Sequence, residues 1–280
     1  MLFEIFKAII FGIVEGICEW LPISSTGHLI LLEEFLSLDI SNDQALNEQF
    51  ANMFDVVIQL GAVLAIAVLY FKKFDIRKKE NITLWKNIII ATLPAAIIGF
   101  AADKICEKLA GVGIDTLLFN PKTVATALII YGILFIAVEK TSQRKNGRSL
   151  SVTPLSAFLI GCFQSLAIIP GTSRSGATIL GARILGTDRR EATEFSFFAA
   201  IPIIFGASAL KIFEFFSFMR ESSLSLPSLA ITVLTVAFTV SFLVSVITVK
   251  LLTDFVKKHT FIPFGIYRII LGIAVLIIIK

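Results

Sequence analysis

The chain has 280 residues, of which 56% are hydrophobic and only 16% carry a charge. A soluble domain usually has about 25% charged residues, so this chain has too few polar groups to cover a surface that faces water. The composition excludes an ordinary soluble enzyme, a disordered protein and a nucleic-acid-binding module. The formal net charge of +4 does not indicate DNA binding, because Lys and Arg in a membrane protein mark the loops that stay in the cytoplasm.

Cysteine usage and the N-terminus give no sign of secretion or metal binding. Cys18, Cys106 and Cys162 are too few and too scattered for a disulfide framework, and they lack metal-site spacing. Glu4 lies where a signal peptide would be basic, and no small-residue cleavage site ends the first apolar run. We therefore expect the whole chain to be mature.

In chain order, the apolar segments are either interrupted or continuous. Residues 1–37 come first and consist of two hydrophobic halves around a polar break. Three continuous windows follow, then a second interrupted region at 153–186, and then three more windows. A spanning helix needs about 20 mostly apolar residues, and six windows meet this requirement: 50–71, 84–103, 121–139, 193–213, 228–250 and 261–279.

The two interrupted regions contain the residues that are least compatible with lipid. Their polar, Pro and Gly positions are Glu15, Glu19, Pro22 and 24–28 in the first region, and Gln164 and 170–176 in the second. Non-helical backbone at membrane depth is tolerated only where protein buries it or water reaches it. Each region is therefore predicted to be a re-entrant helix–loop–helix with both ends on one side of the membrane. The alternative is a pair of short interfacial helices.

The two breaks also resemble each other weakly, and each is followed by three spanning segments. Because three is odd, the second half starts on the opposite face of the membrane from the first. The sequence thus predicts an all-α integral membrane protein with one transmembrane domain over 1–280. Residues 1–140 and 153–280 form its inverted-topology repeat, an architecture typical of secondary transporters. Chance similarity of two Ser/Gly/Pro stretches is the alternative.

The distribution of Lys and Arg fixes the orientation of this topology. If region 1–37 enters from side X, side Y holds 16 basic residues: Lys72, Lys73, Arg77, Lys78, Lys79, Lys86, Lys140, Arg144, Lys145, Arg148, Arg183, Arg189, Arg190, Lys250, Lys257 and Lys258. Side X holds seven: Lys7, Lys104, Lys108, Lys122, Lys211, Arg220 and Lys280. The bias makes side Y cytoplasmic. The first re-entrant region then opens outward and the second opens inward.

Two glutamates lie within the first apolar region. Glu15 and Glu19 are four residues apart and share one helix face. Ionisable groups inside a membrane are costly and usually functional, and two close carboxylates repel unless a cation, an arginine or a proton lies between them. A hard divalent cation such as Mg²⁺ or Ca²⁺ takes oxygen ligands and would fit this pair. The alternative is that both are solvated at a wet interface.

Hydroxyl groups and a histidine follow directly, at Ser24, Ser25, Thr26, Gly27 and His28. Ser and Thr are natural N-caps, and the free amide groups of a helix N-terminus bind anions. Capping alone is the simpler interpretation. His28 offers a nucleophile, a general acid or a general base, and the Ser25 hydroxyl needs an adjacent base to attack.

The second break also begins a helix, and its polar residues are Thr172, Ser173, Arg174, Ser175 and Gly176. The Arg174 guanidinium presents a planar fork of donors that suits phosphate. In an inverted repeat, two helix N-termini and this arginine would converge near the middle of the membrane. Such a pocket favours a multiply charged anion and phosphoryl transfer, where catalysis is largely positioning and charge neutralisation.

Other polar residues in the apolar segments are less informative. Asp55 and Gln59 are one turn apart in the first window, and Glu194 begins the fourth. Arg268 lies well inside the last window, where we expect it to pair with a carboxylate for structure. His259 lies in a basic loop and is expected to be solvated.

The sequence resembles the undecaprenyl-diphosphate phosphatase family, also called bacitracin-resistance proteins. The resemblance runs over nearly the whole chain and is carried by 15–29, EGICEWLPISSTGHL, and by 170–178, PGTSRSGAT. The stretches 54–61, FDVVIQLG, and 194–202, EFSFFAAIP, are also similar to the family.

This resemblance implies an integral membrane hydrolase that converts undecaprenyl diphosphate to the monophosphate carrier used for peptidoglycan synthesis. It implies a divalent cation, metal-binding and catalytic roles for Glu15 and Glu19, catalytic roles for Ser25 and His28, and phosphate binding by Arg174. The amide groups of both loops would take the remaining charge. The enzyme would lie in the bacterial plasma membrane with its active site facing outward. Whether Ser25, His28 or water attacks phosphorus stays open.

The rival class is a transporter, either a flippase for the polyprenyl phosphate or an ion-coupled carrier, which the inverted repeat also favours. Transport alone would not need a serine and a histidine beside two glutamates. A purely structural membrane subunit is the third alternative. The partners we expect are the polyprenyl diphosphate and membrane lipids, with a homodimer as one possible oligomeric state.

The predicted orientation is testable by labelling. In a variant that lacks the native cysteines, Lys145→Cys should not react with a membrane-impermeant thiol reagent in intact cells, because loop 140–152 is predicted to be cytoplasmic. The same site should react after the membrane is permeabilised. Labelling in intact cells would reverse the orientation.

Overall fold

A computed structural model describes residues 1–113, 117–118, 120–142 and 151–278. Within these residues the regular structure is helical, with no strands. The α-helices, numbered in chain order, are α1 Leu2–Cys18, α2 Ser25–Phe35, α3 Gln44–Leu69, α4 Lys79–Ala110, α5 Pro121–Ser142, α6 Pro154–Ser165, α7 Arg174–Ile184, α8 Arg189–Glu221, α9 Ser228–Lys258 and α10 Ile262–Ile278. Four basic residues used in the charge count lie outside the described residues: Arg144, Lys145, Arg148 and Lys280.

Five of the described helices are long and apolar enough to cross a membrane: α3, α4, α5, α8 and α9. Helices α4, α5, α8 and α9 each contain one of the predicted windows, and α3 covers all but the last two residues of window 50–71. The last window corresponds to α10, which is apolar but has only 17 residues. The prediction of a helical, multi-pass membrane protein is thus confirmed for the described residues.

Both interrupted regions are two helices with a break between them. In the first, α1 ends at Cys18 and α2 begins at Ser25. In the second, α6 ends at Ser165, a 3₁₀ turn follows at Leu166–Ile168, and α7 begins at Arg174. Residues 24–28 and 173–176 therefore lie at the N-termini of α2 and α7, whereas Glu15, Glu19 and Gln164 lie at the C-terminal ends of α1 and α6.

The N-caps of α2 and α7 have the same unusual backbone. Ser24 has φ 75° and Ser173 has φ 70°, a left-handed conformation that is uncommon for residues other than glycine. Each serine hydroxyl accepts a hydrogen bond from the backbone N–H three residues on, at 3.2 Å from Gly27 and 3.1 Å from Gly176. Strain of this kind collects at functional sites and is held by the surrounding structure.

Glycines allow the helices around the breaks to pack backbone to backbone. A Cβ at Gly16 would lie 2.8 Å from the Ser241 carbonyl oxygen on α9. A Cβ at Gly161 would overlap the Ala91 carbonyl oxygen, which places α6 against α4 in the same way. Lipid chains provide no hydrophobic force between helices, so close approach at small residues is a main source of their association.

A buried ion cluster joins the C-terminal ends of α5 and α7 to the N-terminus of α8. The Glu139 carboxylate accepts bonds from Arg183 Nε at 2.9 Å and from Arg189 Nε at 2.6 Å, and its side chain is 1% exposed. Arg183 also donates to the Thr187 carbonyl at 2.7 Å. The cluster therefore fixes the C-terminal end of α7.

The close contact at Gly161 gives a stability prediction. Gly161→Ala should lower the free energy of unfolding by about 1–3 kcal/mol, the usual cost of overpacking. Gly206→Ala is the matched control, because a Cβ there meets nothing within 4 Å and alanine favours the helix. Thermal unfolding in detergent measures both. Equal stability of the two variants would contradict the packing described here.

Candidate active site

The two breaks meet through an ion pair. Arg174 Nη2 lies 2.9 Å from Glu19 Oε1, and the two side chains are 12% and 7% exposed. Arg174 Nη1 also donates to the Ser196 carbonyl on α8 at 2.8 Å. The guanidinium of the second break is therefore held against the carboxylate of the first, 155 residues earlier in the chain.

Glu19 also binds the hydroxyl that follows it in the same break. Ser25 Oγ donates to Glu19 Oε2 at 2.8 Å. One carboxylate oxygen thus faces the arginine and the other faces the serine. A second bridge between the breaks, from Ser175 Oγ to the Leu21 carbonyl at 3.2 Å, keeps the two helix N-termini side by side.

These N-termini supply backbone donors as well as side chains. The first N–H groups of a helix precede its first intrahelical bond and have no partner within it. In α2 these include Ser25 and Thr26, and in α7 they include Arg174 and Ser175. Because the helix dipole adds positive potential at the same place, the paired N-termini form an anion-binding arrangement.

A cavity of about 310 Å³ lies at this junction. Its polar wall comes from both breaks, from α3 and from α6, and consists of Glu19, Ser25, Thr26, Gln59, Gln164, Ser165, Ser173, Arg174 and Ser175. Its apolar wall includes Ile168, Ile169, Ile203 and Ile204. The cavity therefore offers charge and hydrogen-bond donors as well as hydrocarbon.

Glu15 lies one turn before Glu19 and is fully buried. Neither of its carboxylate oxygens has a hydrogen-bond partner among the described residues, and the charged groups that act on it are Glu19, Asp55 and Arg174. No group of three or more His, Cys, Asp or Glu in the described part of the chain is arranged around a common metal position. The unpartnered oxygens of Glu15 fit a cation. Both oxygens of Glu19 are engaged by Arg174 and Ser25, so Glu19 would have to exchange one of these bonds to share that cation.

His28 is bound at both ring nitrogens and neither faces Ser25. Nδ1 lies 2.7 Å from the Ser24 carbonyl oxygen, and Nε2 lies 2.7 Å from the Tyr267 hydroxyl. Because a carbonyl only accepts, Nδ1 carries the proton, and Nε2 of the neutral ring accepts from Tyr267. The two rings are parallel, with centroids 5.7 Å apart.

The structure brings together most of the residues singled out in the sequence. Ser24 and Ser173 are caps, Gly27 and Gly176 donate to them, and Thr172 is buried with its hydroxyl unpartnered among the described residues. Gln59 lines the cavity. Glu194 does not join the site but pairs with Arg190 at 2.9 Å, and His259 is exposed as expected.

One expectation about a partner changes. Arg268 was expected to pair with a carboxylate, and this is wrong: it donates to backbone carbonyls of both breaks. Asp55 lies close enough to Glu33 on α2 for the two carboxylates to interact electrostatically, and the sequence analysis missed Glu33. Tyr267 was missed as well, because nothing in the sequence places α10 beside α2.

The fold is that of a multi-pass membrane protein, and its two breaks bring an arginine and two helix N-termini to one cavity. The family described as "Bacitracin resistance protein BacA" matches residues 8–274. The chain belongs to this family.

Its relatives include undecaprenyl-diphosphatases of several bacteria. One from Desulfitobacterium hafniense is 49% identical over 289 residues, which cover 99% of this chain and 96% of that protein. Undecaprenyl-diphosphatase 1 of Clostridioides difficile is 47% identical over 284 residues, with 98% and 96% covered. The enzyme of Enterococcus faecalis is 47% identical over 289 residues, with 99% and 98% covered.

Proposed function

We propose that the protein hydrolyses undecaprenyl diphosphate to undecaprenyl phosphate and inorganic phosphate. The relatives named above are undecaprenyl-diphosphatases, and the sequence match covers nearly their whole length. The observation that carries the proposal for this chain is the meeting of Glu19, Ser25 and Arg174 at one cavity between two helix N-termini. Recycling this lipid carrier supports peptidoglycan synthesis, and removing the diphosphate accounts for the family's link to bacitracin resistance.

The substrate's charge is met by fixed groups of the protein. Arg174 and the free N–H groups of both loops face the cavity, where low dielectric strengthens their interaction with phosphate. The other residues of the two loops would bind the substrate's phosphates: Ser24, Thr26, Gly27, Thr172, Ser173, Ser175 and Gly176. The isoprenoid chain would follow the apolar wall toward the surrounding lipid.

Ser25 is the nucleophile that the geometry favours. Its hydroxyl already donates to Glu19, so Glu19 can accept the proton as Ser25 Oγ attacks the terminal phosphorus. The bond from that phosphorus to the bridging oxygen breaks, and undecaprenyl phosphate leaves with the proton. Water then attacks the phosphoserine, gives a proton to Glu19, and inorganic phosphate leaves as Ser25 Oγ recovers that proton.

The roles of His28 and of a cation follow from their surroundings. With both ring nitrogens bound, His28 orients the α2 N-terminus and, if released from Tyr267, offers Nε2 as a second base. Glu15 and Glu19 would hold a divalent cation, Mg²⁺ or Ca²⁺. When bound, such a cation neutralises developing phosphate charge as a Lewis acid.

We further propose that six spans and two re-entrant segments form an inverted repeat, with 1–140 equivalent to 153–280. The helix contacts support this. In this repeat α1 corresponds to α6 and α4 corresponds to α9. The packing of α1 against α9 then has its counterpart in the packing of α6 against α4, and both contacts are present. The contact of α5 with α10 maps onto itself. Two glycines face each other in this contact: a Cβ at Gly132 would lie 2.7 Å from the Gly265 carbonyl oxygen, and a Cβ at Gly265 would lie 2.7 Å from the Gly132 carbonyl oxygen.

The orientation remains a proposal that rests on the charge bias. With loops 72–86 and 250–258 in the cytoplasm, the first re-entrant region opens outward. The protein would then lie in the plasma (inner) membrane and act on lipid at the external leaflet. A flippase for polyprenyl phosphate is the second candidate, and the symmetric helix contacts favour it. Lipid flipping in liposomes by a Ser25→Ala variant that is dead for hydrolysis would support that activity.

The catalytic assignment predicts the effect of three substitutions. Ser25→Ala, Glu19→Gln and Arg174→Ala should each lower phosphate release from farnesyl diphosphate about 100-fold or more, the usual cost of a lost transition-state contact. Ser208→Ala is the matched control, since this buried serine donates to the Val56 carbonyl and does not line the cavity, and it should retain activity. If either Glu19→Gln or Arg174→Ala keeps more than about a tenth of the activity, the site is wrong.

The nucleophile can be identified by trapping. With farnesyl diphosphate labelled in its terminal phosphate, rapid acid quenching should leave label on Ser25 as an acid-stable phosphoserine. His28→Gln should still acquire label, because the histidine is not the nucleophile. Acid-labile label on His28, or no labelled protein during turnover, would rule out the serine route.

A further inference from the structure

Arg268 is the most deeply buried basic residue near the cavity. It lies on α10, and its side chain is fully buried. Nη1 donates to the Pro22 carbonyl at 3.1 Å, and Nη2 donates to the carbonyls of Gly171 and Thr172 at 2.6 and 2.9 Å. A single guanidinium thus holds both broken loops.

The positive charge of Arg268 has no carboxylate at ion-pair distance among the described residues. Its guanidinium lies 5.5 Å from the centre of the Tyr131 ring, and its Nε has no partner there. The other buried arginines differ, because Arg174 faces Glu19 and Arg183 faces Glu139. An unpaired buried charge is costly, so its retention beside an anion site indicates that the anion itself balances it.

The bonds of Arg268 also set the direction of the loop amides. In a trans peptide the C=O and N–H groups point in opposite directions. Because Arg268 binds the Thr172 carbonyl, the N–H of Ser173 is directed away from the guanidinium, and Ser173 lines the cavity. Gly176, one turn into α7, lies so close that a Cβ would be 3.0 Å from Arg268 Nη1.

We propose that Arg268 is a positioning residue for phosphoanhydride hydrolysis: its guanidinium fixes the spacing of the two loops and supplies buried positive charge that the substrate's phosphates balance. The inference rests on the proposed function of the same cavity. Arg268 acts through the Pro22 and Thr172 peptides and does not itself line the cavity. Its loss should therefore misalign Ser25 and Arg174 relative to the reacting phosphorus.

The expected kinetic signature separates positioning from structure. A misplacement of about 1 Å costs on the order of 100-fold in rate, so Arg268→Gln should lower kcat by about that factor. Arg268→Lys keeps the charge but loses the fork that spans both loops. It should therefore lower kcat about 10-fold or more, with KM within about threefold of the wild type, because the charge and the apolar wall remain.

The experiment compares purified full-length variants in detergent, with farnesyl diphosphate as substrate and rates expressed per monodisperse protein. Arg183→Gln is the matched control: it removes a buried arginine from the same fold and should lower thermal stability while kcat stays near the wild-type value. Wild type and Ser25→Ala are run in parallel. An active wild type with an inactive Ser25→Ala supports the proposed function independently of Arg268.

Two results would overturn the inference. One is a folded Arg268→Lys or Arg268→Gln variant with wild-type kcat and KM. The other is failure of both Arg268 variants to yield monodisperse protein while Arg183→Gln does, which would give Arg268 a purely structural role. An inactive wild type, by contrast, would refute the proposed function itself.

Discussion

The ion pair between Glu19 and Arg174 is the constraint on which the rest of the structure depends. It joins two loops that interrupt apolar helices, and in the proposed re-entrant arrangement each loop alone would expose polar backbone to lipid. Together they satisfy one another: Arg174 reaches Glu19, Ser175 reaches Leu21, and Arg268 reaches carbonyls of both. Non-helical backbone at membrane depth is stable only in such a protein-lined setting. The site and the fold are therefore one arrangement.

The long helices and the two breaks were predictable because their signals are local. Hydropathy over about 20 residues identifies a spanning helix, and Pro22 and Pro170 mark the breaks within otherwise apolar sequence. The sequence analysis expected Glu19 and Arg174 to meet because the halves of an inverted repeat, which stays a proposal, would bring their breaks together. The left-handed backbone of Ser24 and Ser173 was not, because serine gives no hint of positive φ in a sequence.

The partners of Arg268, His28 and Asp55 could not be predicted for a common reason. Arg268 binds backbone carbonyls, which every residue possesses and which leave no trace in side-chain patterns. Tyr267 reaches His28 across 239 residues of chain, and Glu33 interacts electrostatically with Asp55 although the two lie on different helices, α2 and α3. These contacts depend on how the helices pack. The packing is set by close backbone contacts at glycines as much as by hydropathy.

The most direct test of the central claim is an experimental structure with a bound diphosphate. Farnesyl methylenediphosphonate has a carbon bridge that cannot be hydrolysed and keeps the charge of the substrate. The account predicts its terminal phosphonate within hydrogen-bonding distance of both the Arg174 guanidinium and the Ser25 hydroxyl, with the isoprenoid chain along Ile203 and Ile204. A phosphonate that contacts only one of the two loops, or binds elsewhere in the protein, would contradict it.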